Sequence, residues 1–296
     1  MTTGILLLDK PIGMTSNAAL QRVRRMLNAS KAGHVGSLDP LATGMLPVCL
    51  GEATKIAGEI VGGRKRYAFS VGLGSRTTTG DREGVVIERG SVPTLTSADV
   101  ETVLRRFLGR QKQVPPMFSA LKRDGRPLYQ LARAGIEVER APREIELFEL
   151  QLCGLGPDEL RLEVLSSKGT YVRTLAEDIS RALGTCGHVT ELRRLYVEPF
   201  ADEAMETLES VDAAVTAGQL PRILPADRAL PHLPEVRVDA EAAERIGHGQ
   251  AVPAGDVRAG RVRLYDPSGR FLGIGEADGA GTVRPRRLFV HFSCST

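Results

Sequence analysis

The chain has little cysteine: four in 296 residues, Cys49, Cys153, Cys186 and Cys294. They are widely scattered, with no pair at zinc-site spacing and no dense array of the secreted disulfide type, so a stapled extracellular domain is excluded and a reducing cytoplasm fits. Long apolar runs are also missing. No stretch reaches the roughly 18 residues that a membrane span needs, and Gly, Asp and Lys bound the short apolar segment Ile5 to Leu8, unlike a signal peptide. Neither export nor membrane insertion is expected. Cys-x-x-Cys, His-Glu-x-x-His and Walker-type loops are absent, which agrees with chemistry that needs no metal and no organic cofactor. Net charge is small, +3 with a pI near 8.7. Lysine is scarce, 7 of the 39 basic residues against 32 arginines, and arginine forks suit phosphate contacts and stacking on bases.

What is present reads as a folded α+β protein. Gly4 to Asp9 is a short buried strand running into a turn. A helix capped by Thr15 or Ser16 follows, with Leu20, Val23, Met26 and Leu27 inward and Arg22, Arg24 and Arg25 on a solvated face. Residues 33–51 are rich in Gly and Pro yet strongly apolar, which predicts a buried or half-buried loop, and such loops concentrate where function demands irregular backbone. Tyr67, Phe69, Val71 and Leu73 alternate as a strand, Ser75 to Gly84 reads as an exposed loop, and residues 97–108 read as an amphipathic helix with Ser97 as its cap. From 111 to 143 runs a basic insert punctuated by Pro115, Pro116, Gly125 and Pro127, with the character of a mobile RNA-contacting loop. Residues 144–152 and 160–166 form a predicted hairpin, and a helix begins near Tyr171 and ends at Gly184. Proline punctuation from Pro221 to Pro234 places a domain boundary near residue 232. Beyond it, short apolar runs and tight turns predict a small β-barrel over 233–296.

Chemistry concentrates in Gly33-His34-Val35-Gly36-Ser37-Leu38-Asp39-Pro40-Leu41-Ala42-Thr43-Gly44-Met45-Leu46-Pro47. Asp39 precedes a proline, which disfavours helical torsions, and apolar neighbours limit its access to water. A carboxylate there can serve as nucleophile or general base; an Asx turn satisfying its own loop is the bland alternative. This run, continued by Cys49-Leu50-Gly51-Glu52-Ala53-Thr54-Lys55, resembles the signature loop of the TruB pseudouridine synthases. Four further blocks resemble the same family in the same order. They are Leu7-Leu8-Asp9-Lys10-Pro11 with Gly13-Met14-Thr15-Ser16, Lys65-Arg66-Tyr67, Ser167-Lys168-Gly169-Thr170-Tyr171-Val172-Arg173, and His188-Val189 through Leu192-Arg193-Arg194.

The resemblance implies a pseudouridine synthase fold, a mixed and mostly antiparallel sheet with flanking helices, in a catalytic domain over 1–232. It also implies a PUA-like RNA-binding barrel over 233–296. The implied reaction converts uridine 55 in the T-loop of tRNA to pseudouridine, without cofactor or metal, by a monomer needing no obligate protein partner. Asp39 is then the nucleophile, kept ionised against burial by the guanidinium of Arg173. Tyr67 stacks on the flipped uracil and helps move the carbon 5 proton, Tyr171 and Leu192 complete the uracil pocket, and His34 lies beside the flipped nucleotide. The insert at 111–143 closes on the T-arm. Arg64, Lys65 and Arg66, then Lys122, Arg123 and Arg126, then Arg284, Arg286 and Arg287 are candidate phosphate contacts. The competing reading is a tRNA-binding or tRNA-folding factor without catalysis. A hydrolytic glycosidase would ordinarily use two carboxylates, and the sequence singles out no second acid near Asp39.

Overall fold

A computed structural model gives the fold of residues 2–289, so Cys294 lies outside the described residues. Strand β1 (Gly4–Lys10) leads to helix α1 (Ser16–Met26), whose cap Thr15 accepts the Ala18 amide at 3.1 Å. Strands β2 (Ala32–His34) and β3 (Thr43–Leu50) follow. The expected buried loop over 33–51 is therefore mostly strand, and only 35–42 is irregular. Gly44 and Pro47 disguised a continuous apolar run that β1 pairs along its whole length, Gly4 opposite Leu50 and Lys10 opposite Gly44. Helix α2 (Ala57–Val61) precedes β4 (Lys65–Leu73), and β5 (Ser75–Thr77) and β6 (Val86–Arg89) form a hairpin. Helix α3 (Ser97–Arg105) is capped by Thr96 instead of Ser97, because Asp99 completes a reciprocal capping box with it.

After β7 (Gly109–Gln113), the insert is not a bare loop. It holds a two-residue ladder of β8 (Lys122–Arg123) and β9 (Arg126–Pro127), then α4 (Leu128–Arg133), anchored by buried Leu128. The predicted hairpin appears as β10 (Arg143–Leu155) and β11 (Glu159–Ser166). Then come α5 (Val172–Ala182), β12 (Gly187–Val197) and α6 (Leu208–Thr216). The C-terminal unit comprises β13 (Glu235–Arg237), α7 (Ala240–Gly247), β14 (Val252–Pro253), β15 (Gly260–Tyr265), β16 (Phe271–Ala277) and β17 (Thr282–Leu288).

The main sheet runs β1-β3-β12-β4-β11-β10-β7, with β2 added to β3; β12 and β3 are parallel and the other pairs antiparallel. Helices α1, α3 and α5 bury Leu20, Val23, Val100, Leu104, Leu175 and Ile179 against Leu8, Leu46, Phe69, Val71 and Leu162. This is the mixed, mostly antiparallel α+β fold expected. Removing side-chain volume from this core is the clearest way to weaken it. Leu46→Ala, at a position with no exposure, should cost about 2–5 kcal/mol in urea unfolding.

The C-terminal sheet is ordered β13-β15-β16-β17-β14, a curled β unit of the PUA-like kind expected. It joins the main body through a shared apolar cluster in which Ile274, Phe271 and Phe289 meet Ile56, Ile60, Val197 and Phe200. Arg261 grips Glu59 through both guanidinium nitrogens at 2.7 and 3.0 Å, and Lys55 donates to the Leu288 carbonyl at 2.7 Å. Among the described residues, no helix is long and apolar enough to cross a membrane.

Candidate active site

A gap in the main sheet organises the site. One edge of β12 pairs with β4, while the opposite edge is shared by two segments. The 80–82 segment bonds at one end, with the Val189 amide donating to Gly80 O at 3.0 Å and the Arg82 amide to Val189 O at 2.9 Å. At the other end, β3 takes over at Arg193 and Arg194. Between these contacts, residues 190–192 have no strand partner on that side. A cleft of about 500 Å³ opens there, lined by Leu192 at the gap, Leu41 and Thr43 on one lip and Arg82 on the other.

Asp39 belongs to the first lip, in the loop that feeds β3. Its turn is closed by the Ala42 amide donating to Asp39 O at 3.0 Å. Arg173 joins the Asp39 loop to the 79–81 segment. Its Nε lies 2.9 Å from Asp39 Oδ2 and its Nη2 donates to Asp39 Oδ1 at 3.2 Å, a two-point grip. On the second lip, Asp81 Oδ2 lies 3.8 Å from the same Nε. Arg173 also donates from Nη1 to Thr79 O at 2.8 Å and from Nη2 to Phe118 O at 2.7 Å. The surface alternative, an ion pair down the helix with Glu177, is not made.

Protein surrounds Asp39 deeply, yet 37% of its side-chain surface stays reachable. Burial pushes its carboxyl above the ordinary aspartate range; Arg173 opposes this, and the Asp81 carboxylate adds to it. Lys10 is fully buried, and burial lowers its ammonium to about 8. It donates to the carbonyls of Met14 at 2.6 Å, Pro11 at 2.8 Å and Pro40 at 3.4 Å, so it braces the residue next to Asp39. Ser16 braces the other neighbour: its Oγ accepts the Leu38 amide at 2.7 Å and donates to Leu38 O at 3.0 Å.

Of the remaining expected site residues, Tyr171 lies within electrostatic reach of Asp39 and Arg173, while Leu192 and Tyr67 belong to the adjoining core and His34 to β2. Leu192 sits at the gap opposite Phe69, and Tyr67, two residues along β4, is buried in the cluster that holds Leu38, Leu41 and Leu192. Tyr171 caps α5 and is clamped by Gln113: its amide donates to Gln113 Oε1 at 2.8 Å, and Gln113 Nε2 donates to its carbonyl at 3.1 Å. Burial pushes the Tyr171 hydroxyl up. His34 lies in β2 opposite Val48, with a buried Nδ1 that has no hydrogen-bond partner, and burial together with Arg194 lowers its imidazole. A second cleft of about 500 Å³, between the insert and the β5–β6 hairpin, reaches Arg173 from the far side through Thr79, Phe118 and Glu177.

Several expectations need correction. Ser75 to Gly84 is not simply exposed: Thr77 and Asp81 are buried where the segment docks on β12, and Asp81 accepts from Thr79 Oγ1 at 2.5 Å and from the Glu83 amide at 3.1 Å. Lys65 is not a surface cation; it is buried and donates to the carbonyls of Val61 at 2.7 Å and Gly63 at 2.5 Å. Its neighbours are engaged as well, Arg64 with Glu198 and over the Phe148 ring, Arg66 with Glu149 and Glu163. Lys122, Arg123, Arg126, Arg284, Arg286 and Arg287 are exposed. Asp81 and Gln113 were not singled out by sequence, and Arg194 stood in a motif block without a role; Asp81 lies in an aperiodic polar run that carries no signal separating a site wall from a solvated loop.

With this geometry in hand, comparison with known proteins is informative. The chain matches the TruB family pseudouridylate synthase N-terminal domain over residues 24–172. It also matches the tRNA pseudouridylate synthase B C-terminal domain over 173–231 and the C-terminal region of pseudouridine synthase II TruB over 234–289. The tRNA pseudouridine synthase B of Aromatoleum aromaticum is 50% identical over 285 residues, 96% of this chain and 92% of that protein. That of Stutzerimonas stutzeri is 50% identical over 291 residues, 97% and 95% of the two chains. Among solved structures, a chain of a Cbf5-Nop10-Gar1 complex superposes with a TM-score of 0.71 at 26% identity, covering 98% of this chain and 84% of its own. Since a family model spans half of the chain and relatives match nearly all of it at 50% identity, the chain belongs to the TruB family of pseudouridylate synthases.

Proposed function

We propose that the protein isomerises uridine 55 in the T-loop of tRNA to pseudouridine, with Asp39 as the nucleophile. The observation that carries this reading is the two-point grip of Arg173 on the Asp39 carboxylate, whose side chain stays 37% reachable. The reaction breaks the bond between the ribose and N1, turns the uracil, and forms a bond from the ribose to carbon 5. Carbon 5 loses a proton and N1 gains one, so nothing is oxidised. Asp39 supplies the covalent hold on the nucleotide, and Tyr67 offers a ring to a base that has left its stack. Tyr171 and Leu192 bound the uracil, and His34 stands beside the flipped nucleotide.

Residues 1–232 form the catalytic part in this reading and 233–296 a PUA-like RNA-binding part. The exposed Lys122, Arg123 and Arg126 on the insert and Arg284, Arg286 and Arg287 on β17 contact T-arm phosphates. In this reading the protein works in the cytoplasm as a monomer without an obligate protein partner.

The test is nucleoside mass analysis of an unmodified tRNA transcript incubated with the purified protein, using a carbodiimide adduct to locate pseudouridine. Modification at uridine 55 alone is the expected result; unchanged tRNA despite binding returns the chain to the binding-factor reading. A pH series on the same assay adds a second check. Asp39 must be ionised, and burial raises its carboxyl above 3.8. The single-turnover rate should therefore fall on acidification with a midpoint above that value, and a midpoint at or below it contradicts the assigned role.

A further inference from the structure

Arg194 is 1% exposed, the largest fully buried side chain among the described residues. Its hydrogen bonds go to carbonyls alone: Nε donates to Met45 O at 2.6 Å and Nη2 to Gly36 O at 2.8 Å. A buried guanidinium without a carboxylate is costly, and an apolar side chain of similar volume would ordinarily serve the fold better. Its two acceptors explain its presence. Gly36 and Met45 are the ends of the segment that carries Asp39, one on each side of it.

The same segment is shaped around residue 194 in two more ways. Gly44 pairs with Arg194 in the parallel ladder, and a Cβ on Gly44 would stand 2.1 Å from the Arg194 carbonyl oxygen. Gly36 adopts φ +69°, and a Cβ there would stand 3.2 Å from Nη1. Both glycines therefore permit a close approach that any other residue would disturb. Between these ends, Ser16 holds Leu38 and Lys10 holds Pro40. The loop is fastened at its two ends by a single side chain and braced on either side of Asp39.

We propose that Arg194 is a positioning residue for the reaction: its guanidinium ties Gly36 to Met45, and the closed loop holds the Asp39 carboxylate in the grip of Arg173. The inference rests on the reading of Asp39 as nucleophile. Arg194 itself touches no substrate. Lysine at this position keeps the charge but cannot reach two carbonyls with a rigid fork.

The experiment compares the parental protein, Arg194→Lys and Gly36→Ala on one tRNA transcript, measuring melting temperature, tRNA affinity and single-turnover rate. The Arg194→Lys variant should melt near the parental temperature and bind tRNA with unchanged affinity. Its rate should fall about 10²-fold, the scale expected when a reacting group is displaced by roughly an ångström. Gly36→Ala disturbs the same contact from the other side and should give the same split, rate lost and affinity kept. A parental rate in Arg194→Lys overturns the proposal, as does a joint fall of melting temperature, affinity and rate in both variants, which marks a general structural role. If the parental protein forms no pseudouridine, the functional reading fails and this one with it; active parent and equally active variants defeat this one alone.

Discussion

Asp39→Asn is expected to abolish pseudouridine formation, a loss on the order of 10⁴–10⁶ in rate, the range seen when a nucleophile is removed, while leaving tRNA binding intact. Asparagine keeps the shape and can still accept one of the two Arg173 hydrogen bonds through Oδ1, so the change in the pocket is small and the reactive charge is gone. The substitution should change stability little at neutral pH. Burial raises the carboxyl in the folded protein, so the fold favours the neutral acid. The folded state then binds more protons than the unfolded chain, and stability declines as pH rises from the unfolded pKa through the folded one. At pH 7 the burial cost of the ionised Asp39, which asparagine relieves, is set against the charge that Arg173 then loses, so the change in stability is small beside the loss of rate. Melting curves at pH 7 alongside the modification assay check both halves. A variant that still modifies tRNA at the parental rate removes Asp39 from the chemistry; one that binds and refolds tRNA without modifying it separates folding from catalysis in one protein.

Arg173→Met should damage both activity and fold. Its side chain is 5% exposed and serves Asp39, Asp81, Thr79 O and Phe118 O together. Without the guanidinium, the Asp39 carboxyl rises further and is protonated across more of the working range, which removes the proposed nucleophile by another route. Asp81, with a side chain 4% exposed, loses its cationic neighbour, and an uncompensated buried charge of this kind costs about 3–5 kcal/mol. Denaturant unfolding and single-turnover kinetics read the two effects separately. Arg173→Lys should recover part of the stability, since it restores the charge, but little of the rate, since one ammonium cannot hold Asp39 in two places and also reach both lips. Equal rates for Arg173→Lys and the parent would show that charge alone, without the fork, suffices.

These effects trace to residues that differ in how readily a sequence reveals them. Elements with strong periodicity, the strand through Tyr67 and Phe69 and the helices at 16–26 and 172–182, follow from apolar spacing. The long motif around Asp39 and the one ending in Arg173 point to their pairing through family resemblance, because 134 residues separate them and no local pattern could. Asp81 stayed hidden. It lies in a run of Thr, Gly and Asp that reads as a solvated turn, and only docking of that run on the free edge of β12 buries it. Lys65 misled for the opposite reason: a lysine between two arginines looks like surface charge, yet strand alternation turns its stem inward, where the carbonyls of Val61 and Gly63 satisfy the ammonium. Glycine and proline within β3 concealed a strand that is pinned by β1 on one side and by β2 and β12 on the other.

The apolar cluster shared by Ile274, Phe271 and Phe289 with Ile56, Ile60 and Phe200 couples the stability of the two halves of the molecule. Neither half can open without baring oily surface on the other, so the free energy of separating them is folded into the free energy of melting each. The small C-terminal sheet is thereby held against the larger body by apolar contact as well as by the Arg261–Glu59 and Lys55–Leu288 bonds, more than by its covalent tether alone.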